Sequence, residues 1–260
     1  MSEPNPHSMP AAGVDAGPGV TDEHAFVPGG RALEAGRGWA WIAQGFEMFK
    51  RKAGIWILIT ILLGVIFIGL SLIPVVGALA TWVLSPVFAG GIMLGCHALA
   101  QQGDLEVGHL FAGFRKCTGD LVVIGLLSIV AWIIVIIPVI LALGVGAFFA
   151  TAQGDPQALA AIGPGVAIAW LLAIGLAVPV YMALWFAPAL VVFREMRPIE
   201  ALKQSFRGCL HNIVPFLVYG VVVLVLSIVA VIPLGLGLLV LLPVIMASVY
   251  VAFCEIFFHA

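Results

Sequence analysis

Four long stretches of the chain contain no Asp, Glu, Lys or Arg: Ala53 to Gly103, Leu121 to Gly154, Pro156 to Phe193 and Gly208 to Cys254. One helical crossing of a bilayer core takes about 20 apolar residues, so the first and last stretches each hold two crossings joined by a tight turn. Their apolar runs break at Pro74 and Pro233, where a helix ends or bends. This spacing predicts helices near Gly54 to Ile73, Val76 to Leu99, Cys209 to Ile232 and Leu236 to Phe258. Between Leu121 and Phe193 the one charge is Asp155, inside a polar, Gly-rich patch from Thr151 to Gly165. Two more crossings are expected there, near Leu121 to Leu143 and Val166 to Phe193, with the patch as their loop. Composition agrees, because 63% of the residues are hydrophobic and 9% charged, against roughly 25% charged in a soluble domain. A water-soluble fold is excluded, and so is a soluble catalytic domain hung on an anchor.

The 11 Lys and Arg residues occupy three places: Arg31 to Lys52, Arg115 with Lys116, and Arg194 to Arg207. Six crossings put all three places, with both termini, on one side, and the positive-inside rule makes that side the cytoplasm. An odd number of crossings in the middle would put Arg194, Arg197, Lys203 and Arg207 outside. The chain therefore reads as a multi-pass protein of a bacterial inner membrane. Residues 1–30 are rich in Pro, Gly and Ala and carry Glu3, Asp15, Asp22 and Glu23. They lack the basic and apolar regions of a signal peptide, and are expected to form a disordered cytoplasmic tail ahead of a membrane domain spanning 31–260.

A short amphipathic segment precedes each hairpin. Trp39, Ile42, Phe46 and Phe49 fall at i, i+3, i+7 and i+10, with Gln44, Glu47, Lys50 and Arg51 between them, the spacing of a helix lying along the interface. Val107, Leu110, Phe111 and Phe114 repeat the pattern, as do Ile199, Leu202 and Phe206 after Pro198. Each segment ends in an aromatic residue and a base: Phe49-Lys50, Phe114-Arg115, Phe206-Arg207. Pro74, Pro138 and Pro233 come after these phenylalanines at similar distances, and Pro86, Pro188 and Pro243 recur in the second helix of each hairpin. The pattern is that of a threefold internal repeat. The fold class expected is all-α and polytopic, with six transmembrane helices in three hairpins, each preceded by a basic amphipathic interfacial helix.

On Arg31, Gly36-Arg37-Gly38-Trp39, Trp41-Ile42, Gly45-Phe46 and Phe49, then Ala187-Pro188-Ala189-Leu190-Val191, Pro198-Ile199-Glu200-Ala201-Leu202-Lys203, Ser205-Phe206 and Asn212, the chain resembles uncharacterised bacterial six-helix inner-membrane proteins. These are similar to YciC-like proteins and to the membrane domain attached to some glycerophosphodiester phosphodiesterases. The resemblance runs from about Arg31 to Ala260 and implies a helical inner-membrane fold without an activity. The phosphodiesterase domain itself is absent from this sequence.

Chemistry is sparse. No ionisable residue falls well inside a predicted span, Asp120 and Glu255 lying at cytoplasmic ends, which disfavours ion-coupled transport. Thr60, Ser71, Thr81, Ser128, Tyr181, Tyr219, Ser227, Ser248 and Tyr250 could line a path for a neutral solute, or could bond helix to helix and to their own backbone. Cys96, Cys117, Cys209 and Cys254 sit near cytoplasmic helix ends, with His97, His211 and His259 close in sequence to three of them. Without a Cys-x-x-Cys pair they read as small buried residues, and whether they converge stays open. No phosphate loop or nucleophile elbow appears, so no catalytic residue, metal or cofactor is assigned. The expected role is a non-enzymatic membrane-organising or accessory protein that contacts anionic lipid headgroups through Lys50, Arg51, Lys52, Arg115, Lys116 and Arg207. A transporter or channel for a small uncharged or lipid-like solute is the alternative. Nucleic acid is not an expected partner; a membrane-protein partner or a second copy is left open. Pro86, Gly91, Gly95, Pro188 and Pro243 are expected to pack helices in the bundle interior, leaving the first helix of each hairpin nearer the lipid.

Overall fold

A computed structural model describes residues 26–153 and 162–258. Nine α-helices are described: α1 (Arg37–Arg51), α2 (Ala53–Ser71), α3 (Val76–Ala100), α4 (Thr118–Gln153), α5 (Ile162–Trp185), α6 (Ala187–Arg194), α7 (Pro198–His211), α8 (Ile213–Val231) and α9 (Leu238–Phe257). A 3-10 helix, Val107–Phe114, lies between α3 and α4. Among the described residues the one β-type pairing is an isolated antiparallel bridge of Phe26 with Phe258. Six segments are long and apolar enough to cross a membrane: Ala53–Ser71, Val76–Ala100, Thr118–Leu141, Ala169–Arg194, Ile213–Val231 and Leu238–Phe257. The protein is an all-α polytopic membrane protein built of three hairpins.

The first and third hairpins turn alike. Pro74 and Pro233 sit in the turns, and the residue after each, Val75 at φ 61° and Leu234 at φ 55°, is left-handed. Just beyond lie Gly77 and Gly237, where a β-carbon would run into the backbone of Leu70 and of Ala230 on the outgoing helix. The middle hairpin departs from this pattern. Pro138 lies inside α4, which continues to Gln153. At about 1.5 Å per residue this helix is longer than the bilayer core is thick. Helical structure also extends to Gln153 and resumes at Ile162, narrowing the loop expected over Thr151 to Gly165; residues 154–161 lie outside the described residues. Pro138 precedes the apolar Val139-Ile140-Leu141, whereas Pro233 precedes Leu234-Gly235. A lone proline in a membrane helix is tolerated where the surroundings re-satisfy the backbone group it frees.

The fourth crossing is broken where the sequence suggested one helix. Phe186 interrupts it, and Pro188 sits in the first turn of α6 instead of a helix interior; Pro179 is the interior proline of α5. Pro188 has no N–H to give the preceding turn. The break also parts Phe186 from Met182 one turn back, and Ser205 of α7 bridges them, its Oγ accepting from Phe186 N–H at 3.0 Å and donating to the Met182 carbonyl at 2.7 Å.

The three amphipathic segments do not simply float at the interface ahead of their own hairpins. Each packs on the hairpin before it, and the first closes the circle. The 3-10 helix packs on α3 and α2, α7 packs on α5, α6 and α4, and α1 packs on α9 and α8 of the third hairpin. The faces they bury are also not the ones their large apolar residues suggested. α1 buries Gly38, Trp41, Ile42, Gly45 and Phe49 and leaves Trp39 and Phe46 exposed. α7 buries Ala201, Gln204, Ser205, Gly208 and Cys209, with Ile199 outward. In the middle segment Leu110 is wholly buried, while Phe111 and Phe114 stack edge-on around Phe88. Close backbone approach explains the choice: β-carbons at Gly38 and Gly45 would strike the backbones of Pro215 and Val244, and one at Gly113 the carbonyl of Val87. Between helices in lipid, contact of this kind supplies the attraction that water supplies elsewhere.

In each hairpin the second helix is the more buried one. Buried shares are 22% against 56% in the first, 22% against 39% in the second and 17% against 67% in the third. Pro86, Pro188 and Pro243 all face the interior. Gly91 and Gly95 are buried too, but they receive His109 of the 3-10 helix and Leu105 just ahead of it, instead of another membrane helix.

Candidate functional site

The polar chemistry of the described residues gathers at the end of the bundle opposite the Pro74 and Pro233 turns. At its centre is Glu255, in the last turn of α9, whose side chain is 8% exposed. Arg37 of α1 forks onto it: Nε donates to Oε2 at 2.9 Å and Nη2 pairs with Oε1. Trp41 Nε1, one turn along α1, donates to Oε2 at 2.8 Å. The Arg37 guanidinium is pushed above its ordinary value, chiefly by its hydrogen bond to Glu255, against a smaller opposing effect of burial. A carboxylate in this position must be paired, because an isolated buried charge is costly.

Over this pair runs the segment ahead of α1. Val27 N–H donates to the Phe257 carbonyl at 2.8 Å, Arg31 N–H to the Ile256 carbonyl at 2.9 Å, and Arg31 Nε to the Glu255 carbonyl at 2.6 Å. These carbonyls are the unsatisfied acceptors at the end of α9. Asn212, at the α7–α8 junction, accepts from Leu33 N–H at 2.9 Å and donates to the Arg31 carbonyl at 2.8 Å. Gln204 Oε1 accepts from Gly29 N–H, and Phe26 stacks on Phe257 and beneath the Arg194 guanidinium, 4.8 Å from its ring centroid. Phe26 to Gly30 therefore belong to the folded domain, correcting a tail that was expected to end at residue 30. Residues 1–25 lie outside the described residues. Sequence reasoning counted Glu255 only as a helix-end charge and gave Gln204 no role. A lone carboxylate closing a long charge-free run was the available signal.

The six expected headgroup contacts are carried by the amphipathic segments and the residues that follow them. Lys50, Arg51, Arg115, Lys116 and Arg207 are exposed and Lys52 is partly so. Lys50 pairs with Glu47 at 2.8 Å and lies over the Phe46 ring, and Lys52 pairs with Asp104 at 2.7 Å. Arg51, Arg115, Lys116 and Arg207 have no carboxylate partner among the described residues. Beside them Trp39, Phe46, Phe111 and Phe114 present exposed rings. Bases and aromatic rings on the same segments are the composition of a membrane interface.

The hydroxyls divide differently. Thr60, Ser71, Thr81, Ser128, Ser227 and Ser248 each donate to a carbonyl three or four residues earlier in their own helix, and Ser248 also meets the Tyr219 hydroxyl at 2.9 Å. Tyr250 meets His97 Nδ1 at 3.1 Å. Cys96 and Cys254 are buried close together on α3 and α9, whereas Cys117 precedes α4 and Cys209 lies on α7. The four cysteines thus do not converge, and no group of three potential metal ligands occurs among the described residues. Burial pushes the Cys209 thiol up to about 12, and burial with nearby Glu195 raises that of Cys117.

No protein-family model matches the chain, and no solved structure matches it. A protein of Burkholderia thailandensis, strain E264, named a "Probable inner membrane protein", is 34% identical over 200 residues, covering 72% of each chain. With six apolar helices of its own in three hairpins, the chain belongs to the family of that Burkholderia protein, a family of multi-pass inner-membrane proteins.

Proposed function

We propose that this is a non-enzymatic membrane-organising or accessory protein that holds anionic lipid headgroups at its basic end, with that end and both termini in the cytoplasm. The observation that carries the reading is the set of exposed bases without a carboxylate partner among the described residues, Arg51, Arg115, Lys116 and Arg207, accompanied by exposed aromatic residues on the docked amphipathic segments. Each base beside an anionic surface contributes about 1 kcal/mol. The one-sided placement of Lys and Arg supports the orientation. Six of the nine hydroxyls that might have lined a solute path, the Ser and Thr ones, donate to carbonyls of their own helices, which speaks against the transport alternative. The finer likeness carried by Pro198 to Lys203, to YciC-like proteins and to phosphodiesterase-linked membrane domains, accords with a membrane role that needs no active site. Replacing Lys50, Arg51, Lys52, Arg115, Lys116 and Arg207 by Gln should strip phosphatidylglycerol and cardiolipin from the purified protein. Unchanged acidic lipid content in that variant would overturn the reading.

A further inference from the structure

The described residues begin with a strap, Phe26 to Gly30, that is fixed beside a group of bases on α6 and α7. Gly29 and Gly30 are both left-handed, at φ 79° and 72°. A β-carbon at Gly30 would strike Ile256 and the backbone of Gly208, so the turn presses on α7 as only glycine allows. His211 Nδ1 lies 3.2 and 3.3 Å from the Gly29 and Gly30 carbonyls. Phe26 is thereby held beneath the Arg194 guanidinium, and a β-carbon at Gly29 would lie 3.8 Å from Arg207 Cβ and Cδ. Lys203 stands one turn before Arg207 on the same face of α7. Arg194, Lys203 and Arg207 have no carboxylate partner among the described residues, and Lys203 and Arg207 are exposed. Of the two acids on these elements, Glu200 accepts from Gln204 Nε2 at 2.7 Å and Glu195 is the left-handed residue that ends α6.

Residues 1–25, ahead of the strap, contain Glu3, Asp15, Asp22 and Glu23 and no Lys or Arg. The strap sets where this acidic segment starts. Glu23 and Asp22 come three and four residues before Phe26, and a chain spans at most ~3.5 Å per residue, so neither backbone can lie farther than about 15 Å from Phe26. That distance is within range of Arg194 and Arg207. A segment tethered this near acts at an effective concentration of about millimolar, and opposite charges attract over about 8 Å at physiological ionic strength. We propose that residues 1–25 are an internal competitor for the basic end: their carboxylates, Asp22 and Glu23 foremost, pair with Arg194, Lys203 and Arg207 and hold the place of an anionic headgroup. This rests on the headgroup reading given above and adds its regulation. Lipid has to displace the acidic segment, so the basic end responds to the density of anionic lipid instead of binding it at any density.

The first measurement locates the acidic segment. The full chain carrying Arg51→Lys and Arg207→Lys, which keep the charge, is placed in nanodiscs of dioleoylphosphatidylcholine and treated with a water-soluble carbodiimide, which joins a carboxylate to an amine in contact with it. Peptide mapping should find Asp22 or Glu23 joined to Lys203 and to position 207 about fivefold more than to position 51, at the end of α1 farthest from Arg37. At about 0.5 M salt, where screening is short-ranged, these products should fall away. Equal coupling at positions 51 and 207, or none at Lys203 and position 207, would overturn the docking. The second measurement neutralises the segment with Glu3→Gln, Asp15→Asn, Asp22→Asn and Glu23→Gln. With phosphatidylglycerol added to the same nanodiscs and bound lipid counted by native mass spectrometry, this variant should bind it about threefold more tightly than wild type at low salt, and equally at about 0.5 M salt. No gain, where replacing the six bases by Gln does remove the lipid, would overturn the competition. Unchanged lipid in the six-base variant would instead overturn the headgroup reading and the competition with it; the coupling, read in neutral lipid, then decides the docking by itself.

Discussion

Arg37 and Glu255 lie at the two ends of the folded chain, and their pairing ties α1 to the last helix, so the perturbation to make is removal of each partner in turn. The two removals should not cost the same. Arg37 is 40% exposed along its side chain and Glu255 is 8% exposed. Arg37→Ala leaves a buried carboxylate with only Trp41 and the distant Gln44 amide, 3.5 Å away, to answer it. Loss of one partner of a buried pair costs about 3–5 kcal/mol, and the partial exposure of Arg37 brings the expectation to about 2–3. Glu255→Gln keeps an oxygen for Trp41 and lets the guanidinium turn to water, so a cost of about 1–2 kcal/mol is expected, that of weakened charge-assisted hydrogen bonds. The double variant should cost less than the sum, with a coupling of about 1–2 kcal/mol. Equilibrium unfolding in mixed micelles, monitored by far-UV circular dichroism, measures all three. If Glu255→Gln proves as damaging as Arg37→Ala, or the coupling falls below about 0.5 kcal/mol, the pair is not the clasp that its geometry indicates.

Three further outcomes are expected. Gly113→Ala should destabilise by about 1–3 kcal/mol, since its methyl group meets the Val87 carbonyl, while Gly64→Ala, with nothing near, should leave the unfolding midpoint unchanged or slightly raised. In native protein at pH 7.5, a maleimide should leave Cys209 unmodified, because burial holds its thiol up at about 12 and little thiolate is present; Cys117, half-buried, should be the site that reacts slowly, and labelling of Cys209 ahead of Cys117 would contradict the packing of α7. In a background without native cysteines, an impermeant thiol reagent outside the cell should label Leu234→Cys, in the exposed turn of the third hairpin, and spare Ala35→Cys; the reverse pattern would invert the proposed topology.

The number of crossings was legible because charge is costly in a bilayer whatever the tertiary structure, so its absence marks a span directly. The turns at Pro74 and Pro233 were legible because a proline interrupts an apolar run long enough for two crossings. Pro138 falls inside α4, within the crossing expected near Leu121 to Leu143, because proline alone does not end a membrane helix whose surroundings satisfy the freed backbone group. The amphipathic segments were legible as elements but not in their facing. Hydrophobic periodicity assumes that the large apolar side is the buried one, and here the exterior is partly lipid and interface. Trp39 and Phe46 can therefore point outward while Gly38, Gly45 and Ser205 go in. Glu255 was misjudged because its burial depends on residues more than 200 positions earlier in the chain, a pairing that no local pattern encodes.

The cyclic docking gives that pairing its significance. In lipid the helices gain no hydrophobic advantage from association, so close glycine contacts and polar groups must hold them. Both are concentrated at the basic end, where each amphipathic segment locks the hairpin before it. Two of those locks join neighbours in sequence. The third, α1 on α8 and α9, has to bring the start of the folded chain back to its last helix, which carries a larger loop-closure cost. It is also the lock with the densest polar contacts: Arg31, Arg37 and Trp41 on Glu255, and Asn212 bridging to Arg31 and Leu33. Strong polar contacts stand where the entropy of closure is greatest.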